Sequence, residues 1–170
     1  DHYSKYISKS DRTSRPIFSD AAAAVLLEKS ETNKIGPFIF KTSGDGGDFL
    51  TVKNGNKELY MDGPAVLKFS LNLVPEATHK LLEKANCKKE DIDTFIFHQA
   101  SAVVLNKLKK KLDILDLQWF NQIENIGNTV SATIPIAISI LQDENKFSYS
   151  KKYLLMGFGV GLSVAGCIIS

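Results

Sequence analysis

Apolar residues recur at helical spacing between Val66 and Ala85, at Leu67, Leu71, Val74, Leu81 and Leu82. Such a stripe predicts a helix with one buried face. Asp62-Gly63-Pro64 supplies its start, with proline near the first turn. Pro75 falls inside the stretch and predicts a split into two helices or a kink, because proline removes a backbone donor. Ser101 is placed to cap a second helix through Val104, Leu105, Leu108 and Leu112. A third follows Gly127-Asn128-Thr129, through Ile134, Ile138 and Leu141, with Pro135 in its first turn.

Between the helical stretches lie short β-rich runs. Phe18 to Leu27 reads as a buried strand, although Ala21 to Ala24 also suit a helix. A turn at 30–33 separates it from a second strand, Ile35 to Thr42. Ser43 to Asp48 reads as a loop and Lys88 to Asp93 as a charged turn. Thr94 to Phe97 is a strand that ends at His98. Tyr153 to Met156 and Leu162 to Ile169 close the chain as two more strands. The order of strands and helices is an α/β pattern.

The last 18 residues, Tyr153 to Ser170, carry no charge and approach the length of a membrane span. Gly157, Gly159, Gly161 and Gly166 interrupt them, so two buried strands joined by a turn are expected instead. The whole chain has 170 residues, 44% of them apolar and 24% charged, which suits a globular domain. Its net charge of +2 argues against nucleic acid or a membrane as the main partner. Its two cysteines, Cys87 and Cys167, are too few for a disulfide framework and lack metal-ligand spacing. A reducing, cytoplasmic compartment is expected. The first residue is Asp1 and the first methionine Met61, so a chain processed or cut from a longer one is expected. The polar start, Asp1 to Lys9, does not read as a signal peptide.

Few residues offer chemistry. His98 sits where an apolar strand ends, the place where α/β sheets gather functional side chains. A histidine that merely bonds nearby backbone fits the same position. Asn128 follows Gly127 at a helix start, where either a turn role or an amide N–H aimed at a developing oxyanion is consistent. Gly157-Phe158-Gly159-Val160-Gly161 permits a tight turn whose N–H groups face a ligand, or a plain strand connection. Cys87 reads as an exposed helix-end thiol and Cys167 as an inert core thiol. Lys107 and Lys109 to Lys111 form a solvated helix face or a dock for an acidic partner.

Five segments in series say more than each does alone. They are Phe18-Ser19-Asp20-Ala21-Ala22-Ala23-Ala24; Met61-Asp62-Gly63-Pro64-Ala65-Val66 leading into Lys68-Phe69-Ser70; Asp91-Ile92-Asp93 followed by His98-Gln99-Ala100-Ser101; Gly127-Asn128-Thr129-Val130-Ser131-Ala132; and Gly157-Phe158-Gly159-Val160-Gly161. In this order and spacing the chain closely resembles the C-terminal half of 3-oxoacyl-[acyl-carrier-protein] synthase III, of the thiolase superfamily. The resemblance implies a thiolase-like half-fold, a mixed five-stranded sheet with helices packed on it. It makes residues 17–170 the C-terminal domain and residues 1–16 a linker or the end of an N-terminal half. It also implies a cytoplasmic homodimer that binds no cofactor, with acyl-CoA and a malonyl thioester on acyl carrier protein as substrates.

The implied reaction is a decarboxylative condensation begun by a cysteine of the N-terminal half. Neither Cys87 nor Cys167 matches that position, so this chain alone is expected to be inactive. His98 and Asn128 match the two remaining catalytic positions, whose N–H groups stabilise an enolate. Gly159 and Val160 match the backbone of an oxyanion hole, with Val160 where the family usually has Gly. Ser101 stands where an Asn contacts the pantetheine arm. Val103 replaces a basic residue that docks the carrier, and the 107–111 lysines are candidates to compensate. A specialised synthase fits these departures. A non-catalytic thiolase-like partner subunit and a thioester hydrolase are the alternatives. A lone half would expose apolar surface, so pairing with another chain is expected.

Overall fold

The computed structural model describes residues 1–32, 34–52 and 57–170. The elements run β1 (Ile35–Thr42), β2 (Leu50–Val52), β3 (Leu59–Met61), α1 (Gly63–Lys84), β4 (Thr94–Phe97), α2 (Ala102–Leu112), α3 (Ile123–Ile126), α4 (Thr133–Asp143), β5 (Tyr153–Gly159) and β6 (Ser163–Ile169). The main sheet has the order β1-β6-β5-β4. β6 is antiparallel to both neighbours, and β4 runs parallel to β5. β2 and β3 form a separate antiparallel pair.

Alternation along the strands divides the core in two. Phe95 and Phe97 of β4, Leu154 and Met156 of β5, and Val164 and Ile168 of β6 pack with Leu81 of α1 and Leu105 and Leu108 of α2. Ile96 and Tyr153 turn the other way, toward Ala137 and Leu141 of α4. The tail is thus a pair of strands, and among the described residues no helix is long and apolar enough to cross a membrane.

The sheet departs from the expected five strands: four are regular among the described residues. The fifth position, beside β4, is held by a single parallel bridge between Phe95 and Trp119 and a bond from Phe120 N to Phe95 O of 3.1 Å. The strand expected from Phe18 to Leu27 does not form. Only Phe18 pairs, in a bridge with Asn128, and residues 22–30 are exposed. A strand needs a neighbour for its backbone groups; Ala21 exchanges backbone bonds with Asp1, but no ladder partner stands beside 22–27 among the described residues. The expected turn at 30–33 ends at Asn33, outside the described residues. The short strands β2 and β3 escape a periodicity reading, since three residues carry too little pattern. Ser43 to Asp48 lies mostly in a 3₁₀ turn, Gly44–Phe49. Cys167 is half-buried rather than enclosed in the core.

Pro75 neither splits nor ends α1, which is continuous over 22 residues. Asp62 caps it by accepting the Ala65 N–H at 3.0 Å. Proline at 75 withdraws the donor that the Leu71 carbonyl would otherwise receive. Lys111 of α2 fills the gap: its Nζ donates to Leu71 O at 2.6 Å. The same bond ties α2 to α1. Replacing Lys111 by Met is expected to lower stability by about 1–2 kcal/mol, the range for a charge-assisted bond to backbone. In a Pro75→Ala background, where the helix supplies its own donor, the loss should shrink. Denaturant unfolding of the double-mutant cycle checks this, and equal losses in both backgrounds would refute the replacement.

Candidate functional site

β4 delivers His98 to the end of the sheet. The His98 N–H still bonds Met156 O of β5 at 2.8 Å, so the ring leaves a backbone fixed by the ladder. Its Nδ1 lies 2.7 Å from Oγ1 of Thr133, at the start of α4. The ring meets Phe158 edge to face, with centroids 5.3 Å apart. Burial lowers the His98 pKa from 6.5 to about 4, and the nearby Val130 carbonyl offsets only part of this. The imidazole is therefore neutral at neutral pH.

The next residue holds the corner in place. Gln99 is fully buried; its Nε2 donates to Phe97 O at 2.8 Å and its Oε1 accepts the Gln122 N–H at 3.0 Å. Ala100 O then receives Nδ2 of Asn128 at 3.1 Å. Asn128 Oδ1 accepts the Val130 N–H at 2.9 Å, which fixes which end of the amide carries the donors. The Asn128 backbone is pinned by the N-terminal segment, giving its O to Ser19 N at 2.8 Å and its N–H to Ile17 O at 2.9 Å. Gly127 is required there: its φ is +68°, and a Cβ would lie 2.3 Å from Ser19 Oγ.

These groups converge on one cleft of about 560 Å³. His98, Asn128, Ser101, Gly159 and Val160 all line it, as does Val103. The residues that the family resemblance points to are thus brought to the same cavity, while Cys87, Cys167 and the lysines at 107–111 are not. Ser101 also caps α2, accepting the Val104 N–H at 3.3 Å. Val160 is 56% exposed at the turn between β5 and β6. Leu50, Met61 and Val66 make much of the remaining wall apolar. Neither Cys87 nor Cys167 lines the cleft, and burial pushes the Cys167 thiol up, away from the nucleophilic thiolate. Among the described residues no group of His, Cys, Asp or Glu side chains is arranged to hold a metal ion.

Sequence reasoning missed Thr133, Phe158 as a ring partner, and the strained Val130, whose φ is +55°. Thr133 lies 35 residues from His98, and nothing in the spacing links them. Gln99 was visible only as part of a motif; a polar residue between an apolar strand and a helix cap was the available signal.

The descriptions of two family models match the chain. 3-Oxoacyl-[acyl-carrier-protein (ACP)] synthase III C terminal matches residues 82–170, and 3-Oxoacyl-[acyl-carrier-protein (ACP)] synthase III matches residues 1–46. The chain is 32% identical over 170 residues to beta-ketoacyl-[acyl-carrier-protein] synthase III of Listeria monocytogenes, covering 99% of this chain and 54% of that one. The same enzyme of Lactococcus lactis is 33% identical over 186 residues, with 99% and 56% covered. The crystal structure of 3-oxoacyl-[acyl-carrier-protein] synthase III from Aquifex aeolicus superposes with a TM-score of 0.92 at 29% identity, over 98% of this chain and 54% of that one. The chain spans about half the length of the relatives it matches.

The desolvated, half-buried imidazole makes stability depend on pH. The unfolded ring titrates near 6.5 and the folded ring at about 4, so the unfolded state binds more protons between these values. Stability present above pH 6.5 is therefore lost as pH falls toward 4. The loss is on the order of 2–3 kcal/mol, at about 1.4 kcal/mol per pKa unit. His98→Gln should flatten this part of the profile in denaturant unfolding between pH 4 and 7. An unchanged profile would refute the desolvated neutral ring.

Proposed function

The chain belongs to the 3-oxoacyl-[acyl-carrier-protein] synthase III family, and on that premise we propose that it is the C-terminal part of a condensing enzyme. The reaction is the joining of an acyl group from acyl-CoA to a malonyl thioester, with loss of carbon dioxide. The carrying observation is the convergence of His98 and Asn128 on one cleft: His98 is engaged through Nδ1, and Asn128 gives an amide N–H to Ala100 O and keeps its second. Decarboxylation moves charge onto the malonyl thioester oxygen. A neutral imidazole N–H and a fixed amide N–H stabilise that enolate without themselves changing charge. The lowered His98 pKa keeps the ring in its neutral form. The backbone at Gly159 and Val160 serves the acyl-enzyme oxyanion, and Ser101 contacts the pantetheine arm.

The nucleophilic cysteine comes from the portion of the relatives' length that this chain does not cover. Two observations favour such a partner half. Both cysteines lie away from the cleft. The sheet face of β1 leaves Phe38 45% and Phe40 73% exposed, a surface suited to burial against further protein. In the complete enzyme, a cytoplasmic homodimer, His98→Ala should reduce malonyl decarboxylation by roughly a hundredfold or more while acyl loading persists. The 170-residue chain alone should form no condensation product. Equal loss of both half-reactions would overturn the donor role, and turnover by the chain alone would overturn the external nucleophile.

Acyl carrier protein is the proposed partner. Lys68 of α1 and Lys107 and Lys110 of α2 rim a groove floored by Leu67 and Leu71. These ammonium groups supply the positive charge that Val103 lacks, and suit an acidic carrier. Reversing charge at Lys68 and Lys110 together should weaken carrier binding to the complete enzyme roughly tenfold, with a shallower salt dependence. Calorimetry at two ionic strengths checks this, and unchanged affinity would place the carrier elsewhere.

A further inference from the structure

Val130 stands in a conformation that its side chain resists. Its φ is +55°, in the left-handed region that suits Gly and Asn and makes a β-branched residue an outlier. Such strain lowers stability and collects at ligand-binding and active sites. Core packing does not offset it here: neither apolar cluster of the core includes Val130 among the described residues.

The backbone of Val130 is already engaged. Its N–H donates to Oδ1 of Asn128 at 2.9 Å. Its carbonyl accepts the Thr133 N–H and, at 3.0 Å, the Thr133 hydroxyl. These bonds use main-chain atoms alone, so Gly or Asn would make them with less strain. What valine adds is its isopropyl group. Val130 lines the cleft together with His98 and Asn128, and Phe18, Ile134 and Phe158 line it as well. The Thr133 hydroxyl that Val130 receives lies 2.7 Å from Nδ1 of His98, so the strained residue touches the surroundings of both proposed donors.

We propose that Val130 is a specificity-determining residue: its isopropyl group forms part of the cleft wall beside His98 and Asn128 and limits the bulk of the apolar group admitted there. The strain then serves selection rather than folding. That the admitted group is the acyl part of a thioester rests on the condensing role proposed above; the wall itself does not. In an apolar pocket a single methylene changes selection by about 10–200-fold.

Two measurements test this. In the 170-residue chain, Val130→Asn should leave the denaturant midpoint unchanged or raise it, because Asn tolerates the same φ. A clearly lower midpoint would make Val130 a packing residue and overturn the proposal. In the complete enzyme, calorimetry compares two ketone analogues of acyl-pantetheine, with a methylene in place of the thioester sulfur and either an acetyl or an isobutyryl group. Val130→Gly should shift the affinity ratio roughly tenfold toward isobutyryl. Val130→Thr, of the same shape, should keep the unmodified ratio. Val130→Ala takes the place of the glycine variant if that one does not fold, with a smaller shift in the same direction. An unchanged ratio in a folded glycine or alanine variant overturns the proposal, even where the enzyme condenses normally. A shifted ratio in an enzyme that performs no condensation refutes the condensing role and leaves the proposal standing. Binding of neither analogue to the unmodified enzyme overturns the proposal.

Discussion

The end of β4 carries polar backbone into a buried corner, and the site depends on how those groups are satisfied. Phe97 O receives the Gln99 amide, Gln122 N–H is taken by the other end of that amide, and Ala100 O receives Asn128. An unpaired group in such a place costs about 1–3 kcal/mol. Each bond also draws a different segment to the corner. Gln99 brings in the chain before α3, and Asn128 brings in the chain before α4. The cleft is thus framed by the same bonds that make the corner tolerable to bury.

The segment before α4 shows what this framing requires. Its backbone at Asn128 is clasped by residues 17–19, and Gly127 gives way so that Ser19 can approach. Val130 holds a left-handed conformation that costs on the order of 1–3 kcal/mol. That cost persists because Asn128 and Thr133 bond to either side of Val130. Desolvation adds a second constraint, holding His98 neutral. Rigidity and neutrality are the properties that the proposed pair of N–H donors needs.

Much of the fold was legible in the sequence. The spacing of Leu67, Leu71, Val74, Leu81 and Leu82 marked α1, and Ser101 marked the cap of α2. The final glycines marked paired strands rather than a span. What misled was local chemistry that a distant residue overrides. Pro75 reads as a helix breaker until Lys111 replaces the missing donor. Phe18 to Leu27 reads as a strand, yet its apolar alternation finds no neighbouring ladder among the described residues. His98, Asn128, Ser101, Gly159 and Val160 stand in motifs legible along the chain, and they line one cleft.

The sequence by itself determined the order of elements, the family motifs and the residue types available for chemistry. The order of elements follows from periodicity and turn preferences, which act within a few residues, and the motifs from resemblance to a known family. Only the tertiary structure decided that Thr133 faces His98, that Val130 is strained, and that Lys111 repairs α1. Each of these joins positions far apart along the chain, across elements that meet only when the two faces of the sheet are covered. Hydrogen bonding at such distances is fixed by packing, and no local pattern encodes it.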